Sequence, residues 1–457
     1  MEETTIEKNA PKGLGWKIFS VLGKPDTQLF ALVIAILLAL QVLFGIFEST
    51  PSNIELTTLF FGKTVVVRLL GYLGLVNWAV GFYCRMFVHR GKAVRYTVKK
   101  RPWALLFAIL LFWALLMIRF ASDKRLAVFG SAYRYEGYLS YLAYAGIFLN
   151  ASLIKDEKYR KILFSSVAVS SALLAGLTLI KELAGVSFIM NRYSLVYAYS
   201  ATFINSNHYG YYLCVSMTVI AGAFMTVKKL WAKIALGLCF AVNTVVLLLN
   251  GSIGPYIAAA AGLLMLLVFF MIRRGFKKAW PIFFIIGAFI LLSVVISGQK
   301  IINDIMGLGR ITDDSFGSIR GVLWKKTVET ILKHPITGVG TDNVQLYIGL
   351  SIPHNEYLQI AANLGFPGII LYLSALAAML AAAMKNLKKL GDGALIAGTA
   401  AFVYGISAFV GISIPIATYQ LFLYLGLLDG WFRARDDAAL NAMALEAIRN
   451  RQEETKQ

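Results

Sequence analysis

The chain has 457 residues, 58% hydrophobic and only 15% charged, with a mean hydropathy of +0.68; this excludes an ordinary soluble enzyme and indicates a polytopic helical membrane protein. The formal net charge of +20 does not indicate nucleic acid, because most lysines and arginines lie in turns between apolar runs, where the cytoplasmic bias of positive charge accounts for them. Three cysteines, Cys84, Cys214 and Cys239, fall in apolar stretches without metal or disulfide spacing and read as buried structural thiols.

Residues 1–26 read as a cytoplasmic segment carrying Lys8, Lys12, Lys17 and Lys24; the first apolar stretch follows them without a convincing small-residue cleavage site and is therefore expected to be a retained helix. Apolar runs long enough to cross a bilayer are expected near 27–47, 64–88, 103–119, 137–153, 162–184, 207–227, 234–250, 254–272 and 279–298, then near 364–384, 394–411 and 413–432. The expected fold is an all-α polytopic membrane protein of about twelve transmembrane helices. Basic turns occupy every second connection: HRGKAVRYTVKKR after the second run, KDEKYRK after the fourth, KKLWAK after the sixth, RRGFKK after the eighth and KNLKK after the tenth, with Arg433 and Arg435 after the last. That alternation predicts cytoplasmic termini and an outward-facing large loop, residues 299–363, between the ninth and tenth helices. From Arg433 to the end, alternating small apolar and charged residues read as a short solvated cytoplasmic helix.

Three outward connections carry polar residues that topology does not require. FASDKRLAVFGSAYRYEG (120–137) places Lys124, Arg125 and Arg134 on the face where cations are sparse, and ATFINSNHYG (201–210) brings Asn205, Asn207 and His208 to the mouth of the sixth run. The third is the large loop, with two of the four histidines. There Asp313, Asp314, Ser315 and Ser318 offer N-caps for a helix over Ile319–Lys333, with Arg320 and Trp324 one turn apart, ended by His334-Pro335 and the glycines of HPITGVG. A second helix is expected to start at Ser351-Ile352-Pro353, with His354 in its first turn and His354, Tyr357, Leu358 and Ala361 on one side. A neutral imidazole at a helix start suits a general base, and the guanidinium of Arg320 suits an oxyanion such as a phosphate. The plainer alternatives are a capping or surface role for His354 and a lipid-phosphate contact for Arg320. No metal-ligand spacing is present, and no cofactor is implied.

The run FGSIRGVLWKKTVETILKHPITGVGTDN followed by PHNEYLQIAANLGFPGIILYL resembles the shared C-terminal domain of the O-antigen ligase and O-antigen polymerase superfamily. The pattern is Arg320 with Trp324, His334-Pro335 with Gly338 and Gly340, His354-Asn355 with Tyr357-Leu358, and Gly365 with Gly368. The resemblance implies a metal-independent glycosyltransferase that takes a glycan from undecaprenyl pyrophosphate at the outer face of the cytoplasmic membrane and passes it to a hydroxyl of a glycan or lipid acceptor. It implies His354 as the base that activates the acceptor, Arg320 at the pyrophosphate, and inversion at the anomeric carbon. Further candidate substrate contacts are Arg134, Asn355, Tyr357, Asn207 and Trp324. One position departs from the family pattern: Ser252-Ile253-Gly254 stands where ligases of the family commonly carry an arginine, so either the pyrophosphate clamp is weaker or Arg134 or Arg192 from another outward connection replaces it. A repeat-unit polymerase of the same superfamily is the nearest alternative. A lipid-linked oligosaccharide flippase or other twelve-span transporter is the second, with Arg68 and Lys181 as its main intramembrane charges.

Overall fold

The computed structural model describes residues 26–44, 56–89, 101–132, 134–185, 198–203, 205–307, 320–349 and 351–454, and all regular structure within them is helical. In chain order the α-helices are α1 (Thr27–Leu40), α2 (Leu56–His89), α3 (Pro102–Met117), α4 (Lys124–Phe129), α5 (Tyr138–Ala151), α6 (Glu157–Ala184) and α7 (Ser206–Thr226). They continue with α8 (Leu230–Asn250), α9 (Ile253–Arg274), α10 (Phe276–Ala279), α11 (Ile282–Gly307), α12 (Arg320–Lys333), α13 (Glu356–Lys385), α14 (Asp392–Ser407) and α15 (Pro415–Glu454). A helix lies in each of the apolar runs, and among the described residues nine are long and apolar enough to cross a membrane. Helices α1 and α5 have 14 residues each, roughly 21 Å at the α-helical rise and short of a hydrocarbon core of about 30 Å.

Two element ends differ from the sequence reading. The tail is not a separate short helix: α15 runs unbroken for 40 residues, because neither Gly nor Pro follows Gly430 to stop it. Its middle is tied to the start of α3, where Arg101 pairs with Asp429 at 2.9 Å and Asp436 at 3.0 Å and the Trp103 indole donates to Asp429 at 2.7 Å. Helix α11 also persists beyond residue 298 to Gly307, kinked at Ser297 (φ −142°, ψ 16°).

Packing places α7 at the centre, against α6, α8, α9 and α14, and nearly every side chain from His208 to Met225 is buried. A Cβ on Gly222 would come within 2.5 Å of Ile396, so glycine lets α14 approach α7. Helices α2 and α5 approach more closely still: a Cβ on Gly146 would sit 1.9 Å from the Gly71 carbonyl oxygen. In lipid, where burying one alkyl chain against another gains little, such small-residue contacts are what hold helices together. Arg68 on α2 fastens the turn before α5: its Nη2 donates to Phe129 O at 2.8 Å and Tyr135 O at 2.6 Å, and its Nε to Ser140 Oγ at 3.0 Å.

Candidate active site

Pro335 prevents α12 from continuing, and the turn behind it docks on the bend in α13. Val339 N donates to Ala362 O at 2.9 Å, Gly340 N to Asn363 O at 2.9 Å, and Phe366 N to Pro335 O at 2.7 Å. Gly365 leaves the helical region altogether (φ 70°, ψ −177°), and a Cβ there would lie 2.2 Å from the Ile336 carbonyl oxygen. Gly338 is the reciprocal case, with φ 59° and a Cβ position 2.5 Å from the Asn363 carbonyl. The paired glycines therefore exist so that two backbones can touch.

The second helix of the loop starts later than its sequence suggests. Trp324, one turn beyond Arg320 on α12, donates its indole N–H to the Pro353 carbonyl at 2.6 Å. Asn355 is the N-cap, its Oδ1 accepting from Leu358 N at 3.0 Å, and helical geometry begins at Glu356. Pro353 and His354 consequently lie outside α13, and His354 takes a left-handed backbone conformation (φ 48°). A non-glycine residue in that region is strained and persists only when its neighbours impose it, as Trp324 and the Asn355 cap do here. The imidazole is held neutral not by a place at a helix start: burial first, then the charges of Arg320 and Arg134, lower its pKa from 6.5 to about 4.

Arg134 reaches this cluster because the connection between α3 and α5 is laced to the large loop. Asn343 accepts from Asp123 N at 2.8 Å and donates to Asp123 O at 3.1 Å, and Thr341 donates to Ala127 O at 2.5 Å. Asp342, buried and at φ 54°, accepts from Arg134 Nε at 3.2 Å, while Gln345 Oε1 takes Arg134 Nη2. Arg320 opens α12 half-buried and has no carboxylate partner among the described residues. Asp313, Asp314, Ser315, Ser318 and Arg192 lie outside the described residues.

The start of α7 borders the same region. Asn205 caps Asn207 N at 2.9 Å, placing Asn207 in the first turn beside His208, which is buried and within charge range of His354. Tyr211, one turn on, is within range of Arg320 and donates to Val410 O at 2.9 Å. Across from Gly210 lies the start of α9, its Ser252 N-cap and Pro255. A cation that spacing did not point to lies there: the Lys300 ammonium of α11 rests on Gly251, 2.2 Å from where a Cβ would be.

Not every candidate joins the cluster. Tyr357 turns away, donating to Gly405 O at 2.6 Å and lining an apolar cavity of about 360 Å³ with Tyr372, Phe409 and Leu425. Asn355 commits its side-chain oxygen to capping. Sequence reasoning missed Glu136 and Glu356, both fully enclosed, and Asp342 as the partner of Arg134. The available signal for the two glutamates was their charge: Glu136 lies two residues after Arg134 and Glu356 directly follows Asn355, in a chain poor in acids. Together, two guanidiniums and a neutral imidazole can bind an anion and accept a proton in the same place.

No curated protein matches the chain in a sequence search. The model of one family, described as O-antigen ligase, matches residues 238–373, a stretch that begins in α8 and runs through α12, His354 and the Gly365 bend into α13. The region that carries His354 and Arg320 is therefore an O-antigen ligase family domain.

Proposed function

We propose that this protein is a membrane glycosyltransferase that moves a glycan from undecaprenyl pyrophosphate to an acceptor hydroxyl at the outer face of the cytoplasmic membrane. In this reading the twelve apolar helices span the membrane, both termini are cytoplasmic, and the large loop between the ninth and tenth spans faces outward. The observation that carries it is the convergence of His354 and Arg320, both within the O-antigen ligase family domain, with Arg134 from outside it. His354 takes the acceptor hydroxyl proton, and the oxygen attacks the anomeric carbon. The bond to pyrophosphate then breaks on the opposite face, with inversion, and the leaving group keeps the electron pair. Arg320 and Arg134 compensate the charge that develops on that group, so the chemistry needs no metal. The transport reading loses its main support, since Arg68 is committed to backbone carbonyls and Lys181 lies beside Glu182.

The test is transfer by purified protein supplied with a lipid-linked glycan and an acceptor. His354→Ala is expected to lower the rate by about 10²- to 10⁴-fold while the protein remains folded. Near-normal turnover by this variant would remove His354 from the reaction. Product length identifies the acceptor: a capped acceptor of unchanged glycan length marks a ligase, and a lengthened glycan marks a polymerase.

A further inference from the structure

Beneath the candidate site lies a chain of hydrogen bonds between two buried carboxyls. Glu136, two residues after Arg134, contacts Ser413 Oγ through Oε1. Ser413 Oγ lies 3.3 Å from Thr418 Oγ1, Thr418 Oγ1 lies 2.8 Å from the Tyr404 hydroxyl, and Tyr404 lies 2.8 Å from Oε2 of Glu356, two residues after His354. The outer oxygens are also occupied, since Tyr144 donates to Glu136 Oε2 at 2.7 Å and Tyr372 to Glu356 Oε1 at 3.2 Å. Neither carboxyl has a cationic partner among the described residues.

Counting protons decides the state of this chain. Four contacts link the two carboxyls, but the three hydroxyls between them supply one proton each. With both carboxyls ionised, one contact has no proton. With both protonated, one proton has no acceptor within the chain. One carboxyl proton completes it, and it can sit at either end with all the hydroxyls turned one way. We propose that Glu136 and Glu356 hold a single shared proton and act together as positioning residues, keeping one negative charge beneath His354, Arg134 and Arg320. Burial, aided by the charges of Glu356 and Asp342 and opposed by the hydrogen bonds from Ser413 and Tyr144, pushes the Glu136 carboxyl up to about 8. The other titratable groups facing the pair are Tyr141 and Tyr144 of α5, Asp342 of the loop, Tyr372 and Tyr357 of α13, Tyr404 of α14 and Tyr211 of α7. Sharing ties the turn carrying Arg134, the turn carrying His354 and the stretch before α15 into one unit.

The proton is read by infrared spectroscopy on the purified protein, independently of any transfer activity. Glutamine donates an N–H where the carboxyl would donate its proton, so Glu136→Gln leaves Glu356 ionised and Glu356→Gln leaves Glu136 ionised, with the chain complete in both. The carboxylic-acid carbonyl band of the wild type at neutral pH should vanish in each single variant. A band that persists in either one, or that the wild type lacks, overturns the shared proton. Thr418→Val cuts the chain in the middle without touching either carboxyl, and it should alter the pH at which the band is lost; an unchanged titration also overturns sharing. The positioning role rests on the transferase reading and is tested separately. Wild-type transfer should fall as the shared proton is lost at alkaline pH, and that fall should be absent in Glu136→Gln. An identical alkaline fall in the variant would overturn positioning while leaving the proton and the transferase reading intact.

Discussion

Arg134 serves two masters, and a simple deletion would confuse them. Its guanidinium neutralises buried Asp342 and also lowers the pKa of His354. Removing one partner of a buried pair typically costs about 3–5 kcal/mol, so Arg134→Ala alone should destabilise the loop as well as weaken the site. Pairing it with Asp342→Asn removes the orphaned charge, and asparagine tolerates the left-handed backbone found there. The double variant should fold and should lose donor use more than acceptor use, visible as a larger rise in KM for the lipid-linked glycan than for the acceptor. Arg134→Lys should rescue only partly, having lost the two-pronged donor geometry. Removing the Arg134 charge, as the double variant does, also has a pH signature. Deleting a nearby positive charge makes the imidazolium less costly, so the His354 pKa rises from about 4 toward 6.5. A base must be neutral to act, so the acid limb of transfer should move to higher pH in the double variant. An acid limb left in place would mean that Arg134 and His354 do not sense each other.

At the scale of elements, the loop is a pair of helices held at a fixed angle by backbone contact. The hydrogen bonds from Val339, Gly340 and Phe366 need the bend at Gly365, and the bend needs a residue without a Cβ. Gly365→Ala should therefore lower stability by roughly 1–3 kcal/mol from the left-handed backbone alone, with further loss from the clash with Ile336. Gly176→Ala in α6 is the control: no neighbouring atom lies within 4 Å of its Cβ position, and alanine is the better helix former. Thermal unfolding in detergent that ranks the two variants equally would contradict this account of the loop. Element boundaries followed the same logic of local against distant forces. Proline stopped α12 where its position suggested, because a missing N–H acts on its own helix. Proline at 353 did not start α13, because the Trp324 indole claimed its carbonyl from another helix.

For the whole molecule, the decisive question is which face carries the loop. Asp342 is enclosed and paired with Arg134, so a cysteine there would report damage more than accessibility. Ile336, 64% exposed at the tip of the His-Pro turn, and Lys388, exposed beyond the far end of α13, are the better pair. A cysteine at Ile336 should react with an impermeant reagent in intact cells, and one at Lys388 only after permeabilisation. The reverse pattern would overturn the outward-facing site and the use of a lipid-linked donor from that side.

Composition, the run lengths and the Pro and Gly breaks were enough to locate the helices and the His-Pro turn, and the Arg320, His354 and Gly365 pattern pointed to the family domain. Each of these is a local property: about twenty apolar residues need no partner to become a helix in lipid, where every backbone group must be satisfied internally. Tertiary structure alone decided which groups meet. Glu136 and Ser413 are 277 residues apart, Arg134 and Asp342 are 208 apart, and no spacing within either segment encodes the other. The same holds for His354, whose neutrality comes from burial and from arginines on two other segments, and for Tyr357, which follows three residues later but turns to the Gly405 carbonyl. Buried polar groups must find partners wherever the fold supplies them, and that demand, not the local pattern, built the site.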